Sequence, residues 1–113
     1  MFKKDDSKKI RLELIDPTFI NGLGAVLTFG AEKYEANNWK KAHTVADRER
    51  IKGAMLRHQM CLGRGETIDQ ESGLHHAYHI ACNAMFLAYH DMHSGRIHKD
   101  QSIMVFDDDG APE

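Results

Sequence analysis

From Ser72 to His90 the chain runs for 19 residues without an Asp, Glu, Lys or Arg, although such residues make up 28% of the whole. No other feature constrains the fold as much. A surface helix keeps Lys and Glu on the face opposite its core; this stretch has neither, so it needs cover on most sides. On a helical wheel at about 100° per residue, Leu74, Ala77, Tyr78, Ala81, Met85, Ala88 and Met92 share one broad apolar face. Its alanines let a neighbouring helix approach closely. His76, His79, Asn83 and His90 form a narrow stripe nearly opposite, flanked by Ile80, Phe86 and Leu87. The pattern predicts a helix over roughly 72–94 in the middle of a bundle, its polar stripe lining a pocket or an interface. The length alone raises a membrane span. Four His and one Asn within the run argue against one, because polar groups are expensive in hydrocarbon.

The remaining composition bounds the answer further. At 113 residues the chain reads as one small domain, 1–113, which buries only about two-thirds of its unfolded surface. Its formal net charge of -2, from 15 basic and 17 acidic residues, gives no reason to expect nucleic-acid or membrane-surface partners. Cys61 and Cys82 sit in apolar helical patterns without CxxC spacing and read as reduced core thiols. The start, MFKKDDSKKIRLEL, mixes charges of both signs and has no apolar segment of the secretory kind. A soluble cytoplasmic protein is expected.

Local signals place two more helices. Residues 1–15 form a charged arm in which Ile10 to Leu14 alternate as a short edge strand or extended arm would. Asp16-Pro17 is a helix start, and Ile20, Leu23, Leu27, Ala31 and Tyr34 follow at helical spacing. Gly22, Gly24 and Gly30 lie within that helix, each costing up to ~1 kcal/mol relative to Ala, which suggests close backbone packing or a break near Gly30. EANNWKKAHT reads as a loop. Thr44 and Asp47 make a capping-box variant opening a helix through Ile51, Ala54, Met55, His58 and Leu62, which Gly63-Arg64-Gly65 ends. After Ser94-Gly95, a polar and acidic tail (95–113) passes a possible short strand, Ile103–Phe106, before Asp107-Asp108-Asp109. The expected class is all-α, with about three main helices. A helix apolar on every side cannot be covered in so short a chain, so a homo-oligomer, dimer or tetramer, is expected.

The chemistry gathers before the third helix. Glu66, Asp69 and Glu71 occupy the loop GETIDQESG. Capping and the helix dipole, worth ~0.3–1 kcal/mol, account for one or two of them. Three carboxylates facing a His/Asn stripe repel one another unless a cation joins them, and hard oxygen ligands suit Mg2+ or Mn2+. Histidines in register on one helix face can converge on a metal or on phosphate oxygens. The ordinary alternative is that they are hydrogen-bonded core or surface side chains. The candidate catalytic set is therefore Glu66, Asp69 and Glu71, with His76 and His79 joining them as metal ligands and Asn83 facing the same pocket.

The segments LTFGAEKYEANNW, LRHQM, GETIDQESG and HHAYHIACNAMFL, in that order, resemble the phage dATP/dGTP diphosphohydrolases of the MazZ type, relatives of the MazG-like all-α nucleoside triphosphate pyrophosphohydrolases. The resemblance spans roughly residues 10–90. It implies a helical oligomer that cleaves purine deoxynucleoside triphosphates to monophosphate and pyrophosphate with a divalent metal. In phages with 2-aminoadenine genomes, such an enzyme depletes dATP and supplies dGMP. The wider MazG pattern of ExxE and ExxD has counterparts in Glu32/Glu35 and Glu66/Asp69, although 30 residues separate the pairs. With that chemistry in view, Lys33, Arg57 and Arg64 are candidates for the triphosphate oxygens. Tyr34, Asn38 and Trp39 are candidates for the base pocket, and His58 for the same cavity. Two other classes remain open: an HD-type phosphohydrolase built on His90-Asp91 with His58, which would release triphosphate, and a non-enzymatic metal-binding helical module.

Overall fold

The computed structural model describes residues 2–4, 9–42 and 44–93. The tail expected over 95–113 and part of the charged arm lie outside these residues. Three helices, α1 (Pro17–Lys33), α2 (Val45–Gly63) and α3 (His76–His93), are joined by 3-10 turns and loops. α3 packs along α2 and, over a smaller contact, along α1, so the charge-free helix is the middle one. Among the described residues there is no strand beyond an isolated bridge between Ile68 and His75, and the fold is a small all-α bundle.

The helix starts follow from their caps. Asp16 accepts from the Thr18 amide at 3.3 Å, and Pro17 takes the first helical position. Thr44 Oγ1 accepts from the Asp47 amide at 3.0 Å, while Asp47 accepts from the Thr44 amide at 3.3 Å, completing the capping box. α2 stops in a Schellman arrangement: the Glu66 amide donates to Cys61 O, and the amide of Gly65, at φ +84°, donates to Leu62 O. That turn aims the following loop back toward α3.

Three expectations need correction. Ile10 to Leu14 form no strand; Leu12–Leu14 is an exposed 3-10 turn closed by the Leu14 and Ile15 amides on Arg11 O and Leu12 O, because among the described residues no neighbouring strand offers pairing. α1 does not break at Gly30, whose carbonyl accepts from the Tyr34 amide at 2.9 Å. α3 begins at His76 rather than 72, since residues 67–75 fold into a tight loop tied by Asp69 N–H to Leu74 O, Gly73 N–H to Asp69 O and His76 N–H to Thr67 O. His75 then caps α3 by accepting from the Ala77 amide at 2.9 Å.

Burial is distributed unusually. Val26 and Cys82 are the buried hydrophobic side chains of the core, alongside His76, His79 and His90. The histidine stripe therefore faces inward, whereas Ala88 and Met92 of the broad apolar face lie exposed. Tyr78 reaches α1, its ring edge-on to Phe19 at 5.3 Å. A Cβ on Gly22 would fall inside that ring's van der Waals envelope, so Gly22 is where the close packing occurs. Gly22→Ala is expected to lower the unfolding free energy by roughly 1–3 kcal/mol, read as a lower urea midpoint. An unchanged midpoint would mean the ring moves aside freely.

Candidate active site

A cavity of about 610 Å3 opens between the C-terminal half of α1, the segment Tyr34–Trp39, α2 and α3. Its wall includes Lys33, Tyr34, Glu35, Asn38 and Trp39 from the first two, His58 from α2, Asp69 and Glu71 from the loop, and His79, Asn83 and Phe86 from α3. The turn that brings Trp39 to this wall depends on Asn37, which sits at φ 62°, a left-handed conformation that Asn tolerates better than most residues. Trp39 stacks on Phe86 at 5.0 Å and meets Tyr89 edge-on at 4.8 Å. Phe86 lies seven residues beyond His79, about 10 Å along the helix axis. The cavity thus has an aromatic end and a charged end.

The charged end is built around imidazoles. His58 Nδ1 lies 2.8 Å from His76 Nδ1, and the His58 ring stacks flat on His79, with centroids 4.4 Å apart and planes 7° apart. His79 Nε2 stands 2.7 Å from Ser72 Oγ and 3.7 Å from Asp69 Oδ2. Asp69 also accepts from the Ser72 amide at 2.9 Å, the link that folds the loop. Burial, reinforced by His79 and His76, holds His58 below the ordinary imidazole range, and burial does the same to His79 against the opposing pull of Asp69. Burial alone would raise Asp69, but hydrogen bonds from Ser72 and the nearby imidazoles outweigh it and its carboxyl stays low. Cys82, on the same wall, is no nucleophile: burial pushes its thiol up to about 12.

A pH dependence of stability follows. Both depressed histidines bind protons less readily in the folded chain than at the unfolded value of about 6.5, so the unfolding free energy rises with pH through the window below that value. Their contribution is complete above about pH 6.5 and is lost as pH falls through the depressed folded values. Urea unfolding in chelator is expected to show a lower midpoint at about pH 5.5 than at about pH 8; a flat profile would contradict this.

Near the mouth, Lys33 Nζ and Glu71 form an exposed ion pair, which holds the ammonium above its usual range. Glu35 and Lys41 form another. Exposed pairs contribute little stability, so neither side chain is locked in place. Glu66 stands apart: it does not line the cavity, it accepts from Arg64 at 2.9 Å, and that guanidinium leads the groups holding its carboxyl low. The three loop carboxylates are therefore stabilised separately, Glu66 by Arg64, Asp69 by Ser72 and imidazoles, and Glu71 by Lys33. Arg57 is exposed on α2, and neither it nor Arg64 lines the cavity. Glu32 faces a separate, shallower depression. His90 and Asp91 lie off the cavity: His90 Nε2 is 3.2 Å from Thr44 O and Asp91 takes a two-point contact from Arg48 at 2.9 and 3.2 Å, so the His-Asp dipeptide ties α3 to the start of α2.

Glu35, the second member of the ExxE pair, lines the cavity as well, whereas Phe86 and Ser72 were not among the sequence candidates. Phe86 followed Trp39 in chemistry and Asn83 in helical register, a usable signal. Ser72 had none, because its partner is seven residues away across a turn. As to a divalent ion, the carboxylates on the cavity wall (Asp69, Glu71, Glu35) are oxygen donors of the kind Mg2+ and Mn2+ take. His58, His76 and Asp69, whose ligand atoms lie within 4.8 Å of one another, make a second, nitrogen-rich donor set.

The family model described as dATP/dGTP diphosphohydrolase, N-terminal, matches residues 2–101. A protein of Salmonella phage PMBT28 named dATP/dGTP diphosphohydrolase is 39% identical over 84 residues, which are 74% of this chain and 28% of the relative. The chain thus spans little more than a quarter of that relative's length. No solved structure matches the chain.

Proposed function

The chain belongs to the dATP/dGTP diphosphohydrolase N-terminal family, and from that premise we propose that it hydrolyses purine deoxynucleoside triphosphates to monophosphate and pyrophosphate with Mg2+ or Mn2+. The observation that carries the reading is the two-ended cavity. Lys33, Asp69 and Glu71 line it together with Tyr34, Asn38 and Trp39, and its volume of about 610 Å3 falls in the range of roughly 300–1,000 Å3 typical of small-molecule sites.

In this reading the base enters beside Trp39 and Phe86, with the Asn38 and Asn83 amides as hydrogen-bonding groups for the purine edge. Lys33 exchanges its exposed pairing with Glu71 for the triphosphate oxygens. Glu71, so released, accepts the proton of the water that attacks the α-phosphorus, and the Pα–O–Pβ bond breaks with pyrophosphate leaving. A divalent ion held by Asp69 and its neighbours would supply charge neutralisation and a more acidic water. Product release to 2-aminoadenine phage metabolism in the cytoplasm is the biological setting this activity fits. Exposed apolar side chains, among them Ile20, Leu56, Met60 and Met92, favour a homo-oligomer, dimer or tetramer. No helix among the described residues is long and apolar enough to cross a membrane.

The test is a product analysis. Each of the four dNTPs is incubated with Mg2+, Mn2+ or chelator, and the products are separated by ion exchange. Metal-dependent dAMP or dGMP with pyrophosphate is expected. Nucleoside with triphosphate would return the HD-type reading, and absence of turnover would leave a metal-binding module.

A further inference from the structure

We propose that His58, Asp69 and His76 form a binding site for a nitrogen-preferring divalent ion, of the Co2+ or Zn2+ class, with His58 and Asp69 on the cavity wall and His76 buried beside them. This assignment takes its place within the hydrolase reading above, but it stands on side-chain geometry and adds His58 as a ligand while leaving Glu66 and Glu71 outside the set.

The pairing of His58 Nδ1 with His76 Nδ1 at 2.8 Å is the starting point. At this distance either one Nδ1 carries the hydrogen and donates to the other's lone pair, or both lone pairs face one cation, and loss of a single proton converts the first arrangement into the second. Metal–nitrogen bonds of about 2.0–2.1 Å put two nitrogens on one ion roughly 2.9–3.4 Å apart, close to the distance already present. The Asp69 carboxylate completes a set whose atoms all lie within 4.8 Å; a side-chain movement of about 1–1.5 Å brings the three to the roughly 3–3.5 Å spacing of donors on one ion. His76 is 4% exposed, so the site has a rigid, dry side. His79 is a positioning residue: stacked at 4.4 Å on His58 and held by Ser72 Oγ at 2.7 Å, it fixes the His58 ring plane. Two imidazoles among three donors disfavour Mg2+, which takes oxygen ligands.

The experiment measures metal binding without nucleotide. Chelator-treated protein is titrated with Co2+, followed by visible absorption, in the presence of excess Mg2+. About one Co2+ per chain is expected, retained against Mg2+, with His58→Ala and His76→Ala each weakening it by at least about 100-fold and Glu49→Gln, on the exposed face of α2 away from the cavity, leaving it unchanged. Absence of Co2+ binding, displacement by Mg2+, or unaltered binding in both histidine variants would overturn the site. Far-UV circular dichroism checks that the variants fold. If one does not, histidine-ring 15N spectra of the unaltered protein decide: Zn2+ is expected to shift the Nδ1 signals of His58 and His76, and unmoved signals would overturn the site. Failure here and failure of the hydrolase reading are distinguishable. Co2+ held by these residues without dNTP turnover leaves the site and removes the reaction; Mg2+-supported turnover in a chain that binds no Co2+ does the reverse.

Discussion

Asp69→Asn is expected to reduce turnover of dATP and dGTP by about 10³-fold, the equivalent of about 4 kcal/mol of barrier at 1.36 kcal/mol per tenfold, while leaving the helical circular dichroism spectrum in place. The asymmetry comes from what Asp69 does. Its side chain accepts from the Ser72 amide, and an Asn side-chain oxygen still accepts there, so the loop keeps its shape. What disappears is the negative charge that faces His79 at 3.7 Å and belongs to the donor set with His58 and His76. Steady-state rates with saturating metal check the prediction. A loss below about tenfold would move Asp69 from the chemistry to the loop's architecture.

Trp39→Ala carries the largest expected effect on stability, toward the lower end of the roughly 3–5 kcal/mol seen for buried Trp truncations because the indole is only half-buried. The ring holds the 3-10 turn Asn38–Lys41 against α3 through Phe86 and Tyr89. Trp39→Phe separates stability from recognition: it keeps an aromatic face on Phe86, so the urea midpoint is expected to recover most of the loss, while KM for the purine dNTPs rises because the larger indole face is gone. If Trp39→Ala unfolds at the same midpoint as the unaltered chain, the turn is held by something other than this stack.

Much of the fold was legible because its signals are local. Asp16-Pro17 and the Thr44/Asp47 box each carry their mechanism within four residues, and the charge-free run after Ser72 announced a helix covered from two sides. The alternation of Ile10 to Leu14 misled for the opposite reason: a strand is a relation between two segments, and among the described residues no second segment receives it. The start of α3 was placed too early because Asp69 looks like a helix cap in sequence, whereas it caps its own loop and His75 takes the helix.

In the site, the family resemblance and the residue types brought attention to the loop and helix that line the cavity, but pairing could not be read. Which carboxylate is neutralised by which base depends on distances across the chain: Lys33 with Glu71 spans 38 residues, and His58 with His76 spans 18. The expected mutual repulsion of Glu66, Asp69 and Glu71 presupposed that they converge; each instead has its own partner. His58 was legible as a cavity residue from its place on the apolar stripe of α2, but its contact with His76 depends on how α2 and α3 pack.

The measurement that bears most directly on the account is the position of isotope after hydrolysis in 18O-enriched water, read by 31P NMR on the products from dATP and dGTP. Attack at the α-phosphorus, with Glu71 taking the proton and pyrophosphate leaving, places the label in dAMP or dGMP and none in pyrophosphate. Label in the pyrophosphate, or triphosphate released with nucleoside, would contradict the reading of this cavity.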